Sequence, residues 1–381
     1  FFQAEDGIRD SVASRGLGDV YKRQLYPRNE EAMNESGNSL MTLVNRESIT
    51  RRAMLLALPG IAFAPRLLAQ HQVAPLTTVG LQQITLAVSD IERSLAFYQE
   101  LFGVSVQARH ERSVLLRLGT GPHFLALTEA GSATPRIDHF GMGVDGFDVD
   151  QVLEILEGHG ITEGGSSGGL SGGSLKVRVV TRGSTPEIYL GDPNGLVIQL
   201  QDPKYCGGSG PLGDNCVALE DAPDSGSLEL IGLSHLTINV SDPESTNAFY
   251  QETFGMDVQA FQAASPLMGV GQGSDFLMFI SLGRVGRGST LPGRIHHACF
   301  TVEDFDVVRI QNALEEHGIR PRGTGPDGSG PLRHWVSMRM PNRGGAPEGT
   351  PELYFSDPDG LSIQLQDVRY CGGGGYLGES C

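Results

Sequence analysis

Positive charge and long apolar runs are both scarce in this sequence. Its 381 residues carry 28 Lys and Arg against 45 Asp and Glu, a formal net charge of -17. That balance favours solubility and offers nothing suited to a phosphate backbone, so nucleic acid is excluded as an expected partner. The most apolar stretch, Ala53 to Ala64, is too short for a membrane span, and no stable membrane insertion is expected after processing. Cysteine is sparse as well, with five residues, four of them in two equally spaced pairs, Cys206 with Cys216 and Cys371 with Cys381. Each pair encloses a Gly-rich loop, which predicts one local disulfide per pair in an oxidising compartment. A single zinc site built by all four is the rival reading. Cys299, in the alternating run HHACFTV, is expected to be a buried apolar residue.

The chain also lacks a Met at its first position. Residues 1–32 show no sustained periodicity, resemble translated sequencing-adapter read-through and are set aside, with Met33 or Met41 as the expected start. In residues 33–70, Arg51 and Arg52 precede the apolar segment, and small residues follow at Ala64 and Ala69. This resembles a twin-arginine export signal and predicts a periplasmic protein that crosses the membrane folded. An amphipathic N-terminal helix of a cytoplasmic protein is the alternative.

What the sequence does contain is a repeat. TPEIYLGDPNGLVIQLQDPKYC, from Thr185, returns as TPELYFSDPDGLSIQLQDVRYC, from Thr350. LQQITLAVSDIERSLAFYQELFGVSVQ, from Leu81, returns as LSHLTINVSDPESTNAFYQETFGMDVQ, from Leu233, and IDHFGMGVDGFD, from Ile137, as IHHACFTVEDFD, from Ile295. A period this long means duplicated domains and not a solenoid. Two units of roughly 140 residues follow, each large enough for its own core. We place them at residues 78–216 and 230–381, with a Pro-, Gly- and acid-rich linker at 217–229.

Within each unit the pattern alternates period-2 runs with helical stripes. Gln83 to Val88 reads as a strand, Asp90 starts a helix carrying Leu95, Tyr98, Leu101 and Phe102, and Gly103 stops it. Three further strands precede a second such unit with a helix near Val149 to His159. The Asp-Pro-Asn/Asp-Gly segment predicts a tight turn inside a closing hairpin. The loops from Thr162 and Pro321 are expected to border strands. The fold class is α+β: two homologous domains, each of paired βαβββ modules whose sheets need the helices as cover.

The repeated starts, the AFYQE(L/T)FG helices and the DP(N/D)GLxIQL ends resemble the vicinal oxygen chelate superfamily, which includes glyoxalase I, antibiotic-resistance proteins and type I extradiol dioxygenases. The resemblance spans Leu81 to Asp367 and implies that the paired modules of each domain form a curved, partly open sheet around a cleft. It implies metal ligands on the first and last strands of modules: His235, His297 and Gln364 in the second domain, with Gln83, His139 and Gln199 as a weaker set in the first. Two histidines and a third donor on one face match the extradiol arrangement, although a glutamate stands in the family where Gln364 stands here. Glu352, on the same strand face as Tyr354, is the alternative third ligand. Tyr354, ten residues before Gln364, is implied to donate to substrate or to an oxyanion, and His334 to shuttle protons. Ala126 and Met278 occupy the remaining last-strand positions, where neither replaces the carboxylate of glyoxalase I.

The leading functional expectation is an Fe(II)- or Mn(II)-dependent reaction on an oxygen-rich small molecule, with extradiol-like catechol cleavage as its most specific form. A nonenzymatic ligand-binding or sequestration protein is the alternative, and glyoxalase-like proton transfer ranks below both. The expected partners are a small-molecule ligand or substrate and, as an open option, a second copy of the chain in a homodimer.

Overall fold

A computed structural model describes residues 74–216, 220, 222, 226–281, 292–323 and 330–381. The segments at 1–32 and 33–70 and most of the linker lie outside the described residues. Among those described, no helix is long and apolar enough to cross a membrane.

The first domain contains β1 (Thr78–Val88), α1 (Ile91–Phe102), β2 (Val106–His110), β3 (Ser113–Arg117), β4 (Phe124–Glu129), β5 (Arg136–Val144), α2 (Val149–Gly158), β6 (Thr162–Glu163), β7 (Lys176–Arg182), β8 (Thr185–Gly191) and β9 (Val197–Gln201). The second repeats it with β10 (Leu230–Val240), α3 (Pro243–Phe254), β11 (Val258–Gln262), β12 (Ser265–Gly269), β13 (Phe276–Ser281), β14 (Arg294–Val302), α4 (Val307–Glu316), β15 (Arg320–Pro321), β16 (Arg333–Arg339), β17 (Thr350–Ser356) and β18 (Ser362–Asp367).

The helices start and stop where the sequence predicts. Asp90 and Asp242 accept from the backbone amides of Arg93 and Ser245, satisfying first-turn donors, and Gly103 and Gly255 close the helices at φ 64° and 63°. β1 begins at Thr78, earlier than the alternating pattern suggests, because Thr78 and Leu81 pair with Val144 and Met142 of β5. The loops expected to begin at Thr162 and Pro321 each contribute residues to a two-residue edge strand, β6 and β15.

Each domain forms one nine-stranded sheet, in the orders β2-β3-β4-β1-β5-β9-β8-β7-β6 and β11-β12-β13-β10-β14-β18-β17-β16-β15. Within a module the first strand runs parallel to the last, and the two module-starting strands, β1 with β5 and β10 with β14, pair antiparallel at the centre. The edges do not join, so each sheet is open, as the resemblance implies. Helices cover one face, where Leu86, Tyr98, Phe140 and Leu156 and their counterparts Ile238, Tyr250, Ala298 and Leu314 are buried. The opposite face is left for a site.

The two best-matched sequence motifs meet each other between the domains. Tyr98 of the first AFYQE helix donates to Asp357 of the second domain's turn at 3.2 Å, and Tyr250 donates to Asp192 of the first domain's turn at 3.4 Å. Each aspartate also holds its own turn, accepting from the amides of Asn194 and Leu196 or of Asp359 and Leu361. Burial pushes both carboxyls up to about 6, with these amides opposing the shift. The cysteines form two local disulfides, Cys206–Cys216 and Cys371–Cys381, which rules out one zinc site shared by all four. Cys299 is free and buried, as expected.

Candidate functional site

Strand register builds the second-domain site as a row across the open face. Phe276 pairs with His235, His235 with Cys299, Cys299 with Gln364, Gln364 with Tyr354, and Tyr354 with Trp335. His297 shares this face because it lies two residues before Cys299 on the same strand. The His235 ring stacks on Phe276 with centroids 4.3 Å apart and lies 5.6 Å from the His297 ring. Burial pushes the His235 imidazole down to about 3 and His297 well below its usual range, while the nearby Gln364 amide opposes both shifts. Both rings are therefore neutral near pH 7, the form that binds metals. His297 holds His296 at 2.8 Å through Nδ1, and its Nε2 has no hydrogen-bond partner among the described residues. Both amide atoms of Gln364 are likewise buried, close to the two imidazoles, and without a partner in hydrogen-bond geometry among the described residues.

The other predicted residues are placed differently. Glu352 does not join the imidazoles: it accepts from Arg339 Nε at 2.9 Å, Tyr354 Oη at 3.3 Å and Tyr370 Oη at 3.4 Å. Arg339 is fully buried and also donates to the Gly344 and Gly373 carbonyls, so this carboxylate is committed to an ion pair. Tyr354 packs edge-on against His297 at 5.2 Å and parallel to Trp335 at 5.4 Å. Its phenol is raised well above the usual range by burial and then by Glu352, so it stays a hydrogen-bond donor. His334 is not brought to the site. Strand alternation turns it to the helix-covered face, where its Nε2 lies 3.3 Å from Glu315.

Beside Tyr354 lies a cavity of about 420 Å³, lined by Arg322, Arg333, Trp335, Arg343 and Glu352 among others. His235, His297 and Gln364 do not line it, so Tyr354 stands between the buried donors and the open space. Among the described residues no three His, Cys, Asp or Glu side chains form a metal-holding group. The second domain reaches three donors only by counting Gln364. Two neutral imidazoles with an unpartnered amide fit a divalent cation of mixed N and O preference.

The first-domain set does not fit one. His139 uses both ring nitrogens, Nδ1 with Asp138 at 2.8 Å and Nε2 with Thr85 at 3.2 Å. Gln83 donates through Nε2 to Gln199 Oε1, and this amide pair passes over Gly141. Gln199 Nε2 remains buried without a partner among the described residues. These side chains line an open cleft of about 530 Å³ walled by Leu115, Phe124, Ala126 and Tyr189. Glu187 is again engaged, by Arg182, Tyr189 and Tyr205. A larger groove of about 780 Å³ is lined by segments of both domains.

Sequence reasoning missed Arg182 and Arg339, the partners of Glu187 and Glu352. Their spacings to those glutamates differ because residues Pro341–Arg343 form a 3-10 turn within an insertion that has no first-domain counterpart. Tyr205 and Tyr370 were visible as the repeated Tyr-Cys at the end of each quoted motif.

Residues 80–200 and 232–365 match the family model for the Glyoxalase/Bleomycin resistance protein/Dioxygenase superfamily. Solved structures agree on the fold. The Mn(II)-bound glyoxalase from Novosphingobium aromaticivorans aligns over 76% of this chain and 82% of its own at 15% identity, TM-score 0.51. The 2,3-dioxygenase LapB from Pseudomonas sp. KL28 aligns over 76% and 92% at 15% identity, TM-score 0.52. Homoprotocatechuate 2,3-dioxygenase from Arthrobacter globiformis aligns over 78% and 81% at 16% identity, TM-score 0.51. No curated protein matches by sequence. Identities this low establish shared architecture and leave the chemistry to be argued from the site.

Proposed function

The chain belongs to the Glyoxalase/Bleomycin resistance protein/Dioxygenase superfamily, and from that premise we propose that its second domain is a divalent-metal site acting on an oxygen-rich small molecule. The observation that carries this reading is the trio of buried, unpartnered polar atoms, His297 Nε2 and the two amide atoms of Gln364. Buried polar groups are rarely left unsatisfied, and leaving one so costs about 1–3 kcal/mol. His235, His297 and the Gln364 amide oxygen would hold Fe(II) or Mn(II). When bound, such a cation supplies Lewis-acid polarisation of adjacent substrate oxygens.

The protein's own groups supply the rest. Tyr354 keeps its proton and can turn its hydroxyl from Glu352 to a substrate oxygen. Arg339 fixes Glu352, so that carboxylate orients the Tyr354 and Tyr370 hydroxyls and takes no proton from substrate. The Trp335 and Tyr354 rings keep water from one wall of the approach. Oxygen uptake and ring-cleavage absorbance on mixing Fe(II)-reconstituted protein with catechol test the most specific form, extradiol cleavage. Catechol turnover lost in His235→Ala and His297→Ala supports it, and uptake unchanged in both variants would reject it.

A second reading, ligand sequestration without chemistry, is favoured by the first-domain cleft, where the buried donors satisfy one another and Gln199 Nε2 is left to meet a ligand acceptor. Export to the periplasm belongs to the proposal as well, supported by the two disulfides. Fractionation of a chain starting at Met33 tests it: a shortened periplasmic product is expected, and full-length cytoplasmic protein contradicts it.

A further inference from the structure

We propose that the cavity beside Tyr354 receives a carboxylate-bearing, oxygen-rich organic anion, with its anionic end on Arg322, Arg333 and Arg343. This deepens the second-domain reading by naming the substrate class.

The charge distribution points there first. The chain carries a net -17, yet the charged lining of this cavity is three arginines and Glu352, and Glu352 is already neutralised by buried Arg339. None of the three arginines forms an ion pair among the described residues. Three like charges lining one small space repel one another, so the arrangement is stabilised by an anion between them. The guanidinium is also the group best suited to a planar carboxylate, which it grips with two parallel hydrogen bonds.

The rest of the lining narrows the chemistry. The Arg322 guanidinium lies over the Trp335 ring at 5.1 Å, which holds its flat face and leaves its N–H edge for a ligand. Ser337 and Ser362 add hydroxyls, and Ser362 Oγ is buried with no partner among the described residues, whereas the Ser356 hydroxyl is held by Gly330 and Arg333. A ligand that satisfies this wall carries oxygen beyond its carboxylate. Tyr354 and Trp335 give one flat wall, and Tyr354 leads from the cavity to His297. The anion therefore docks on the arginines while the oxygenated end faces the buried donors. The first domain has no such feature at this place: Arg178 stands where Trp335 stands, and it donates to the Gly169 carbonyl.

Isothermal titration of the full chain with 3,4-dihydroxybenzoate and with catechol tests this, run with and without Mn(II). The carboxylate should bind at least about tenfold more tightly, the size expected for one charge-assisted contact. Arg322→Gln and Arg343→Gln, both at exposed positions, should each erase most of that preference without changing catechol binding. Equal affinity for the two compounds, or inorganic phosphate binding as tightly as 3,4-dihydroxybenzoate, overturns the inference. The metal reading fails separately: a carboxylate preference that persists while Mn(II) neither binds nor alters the titration keeps the anion pocket and removes the metal site.

Discussion

Across one six-position row the first domain places Phe124, Gln83, Gly141, Gln199, Tyr189 and Arg178, and the second places Phe276, His235, Cys299, Gln364, Tyr354 and Trp335. The third position accounts for much of the difference. A Cβ on Gly141 would lie 2.5 Å from Gln83 Cγ and 2.9 Å from its Nε2, so only a bare backbone lets the two glutamine amides close over it. Cys299 fills that volume in the second domain. His235 and Gln364 then stand on either side of a buried thiol, and the Gln364 amide is left without a partner. Duplicated positions thus produce a closed amide pair beneath an open cleft in one domain, and unsatisfied donors behind a tyrosine in the other. The closed pair needs both Gln83 and the bare backbone of Gly141, and the second domain has His235 and Cys299 in those places.

The largest expected effect compares the two ion pairs. Arg339 and Glu352 are both buried, whereas Arg182 is about a quarter exposed, at 28%. Arg339→Met strands a buried carboxylate and should destabilise the chain by about 3–5 kcal/mol. Arg182→Met should cost clearly less, because water can reach Glu187's partner position. Urea denaturation of the two variants checks this, and equal losses would mean that the domains do not differ in the way described.

Next in size is the central glycine. Gly141→Ala should push the Gln83–Gln199 pair apart and cost about 1–3 kcal/mol as an overpacked site. Cys299→Ala removes only a sulfur and should cost less. A Gly141→Ala protein as stable as the parent would show that the amide pair does not depend on that space.

The smallest effect, taken per pH unit, is electrostatic. Asp275 of the second domain accepts from the Leu81 amide of the first at 2.9 Å, and burial pushes its carboxyl up to about 7, with that amide opposing the shift. The folded state therefore holds a proton that the unfolded state releases near its ordinary value of 3.8. Its contribution to stability should decline as pH rises from about 4 to about 7 and be level above that, with a slope of at most about 1.4 kcal/mol per pH unit. Asp275→Asn keeps an acceptor for Leu81 and should flatten this part of the pH–stability curve. A slope unchanged in the variant would assign the dependence to other groups.

These contrasts also mark what the sequence disclosed. The paired modules, the helix caps and the closing hairpins were legible because each rests on local signals: an Asp before and a Gly after the first helix of each domain, and Asp-Pro-x-Gly in the turn. His235, His297 and Gln364 were named together through the resemblance to the superfamily, and strand register places them on one face. His334 was misplaced because its face depends on where β16 begins, and the inserted residues after it hide that register. Glu352 seemed free to bind metal because Arg339, thirteen residues earlier, has no fixed spacing to match in the first domain. The Tyr98–Asp357 and Tyr250–Asp192 contacts were invisible for another reason: both motifs were read within their own domains, and their partners lie in the other.

Counting the metal bound per chain tests the central claim most directly. Anaerobic titration with Mn(II), followed by removal of free metal and elemental analysis, should give one ion per folded chain. It should give none in His235→Ala or His297→Ala and still one in Gln199→Leu, since the first-domain donors are spent on one another. No stoichiometric binding to the folded parent protein at saturating Mn(II), or binding lost in Gln199→Leu and kept in His297→Ala, would contradict the account.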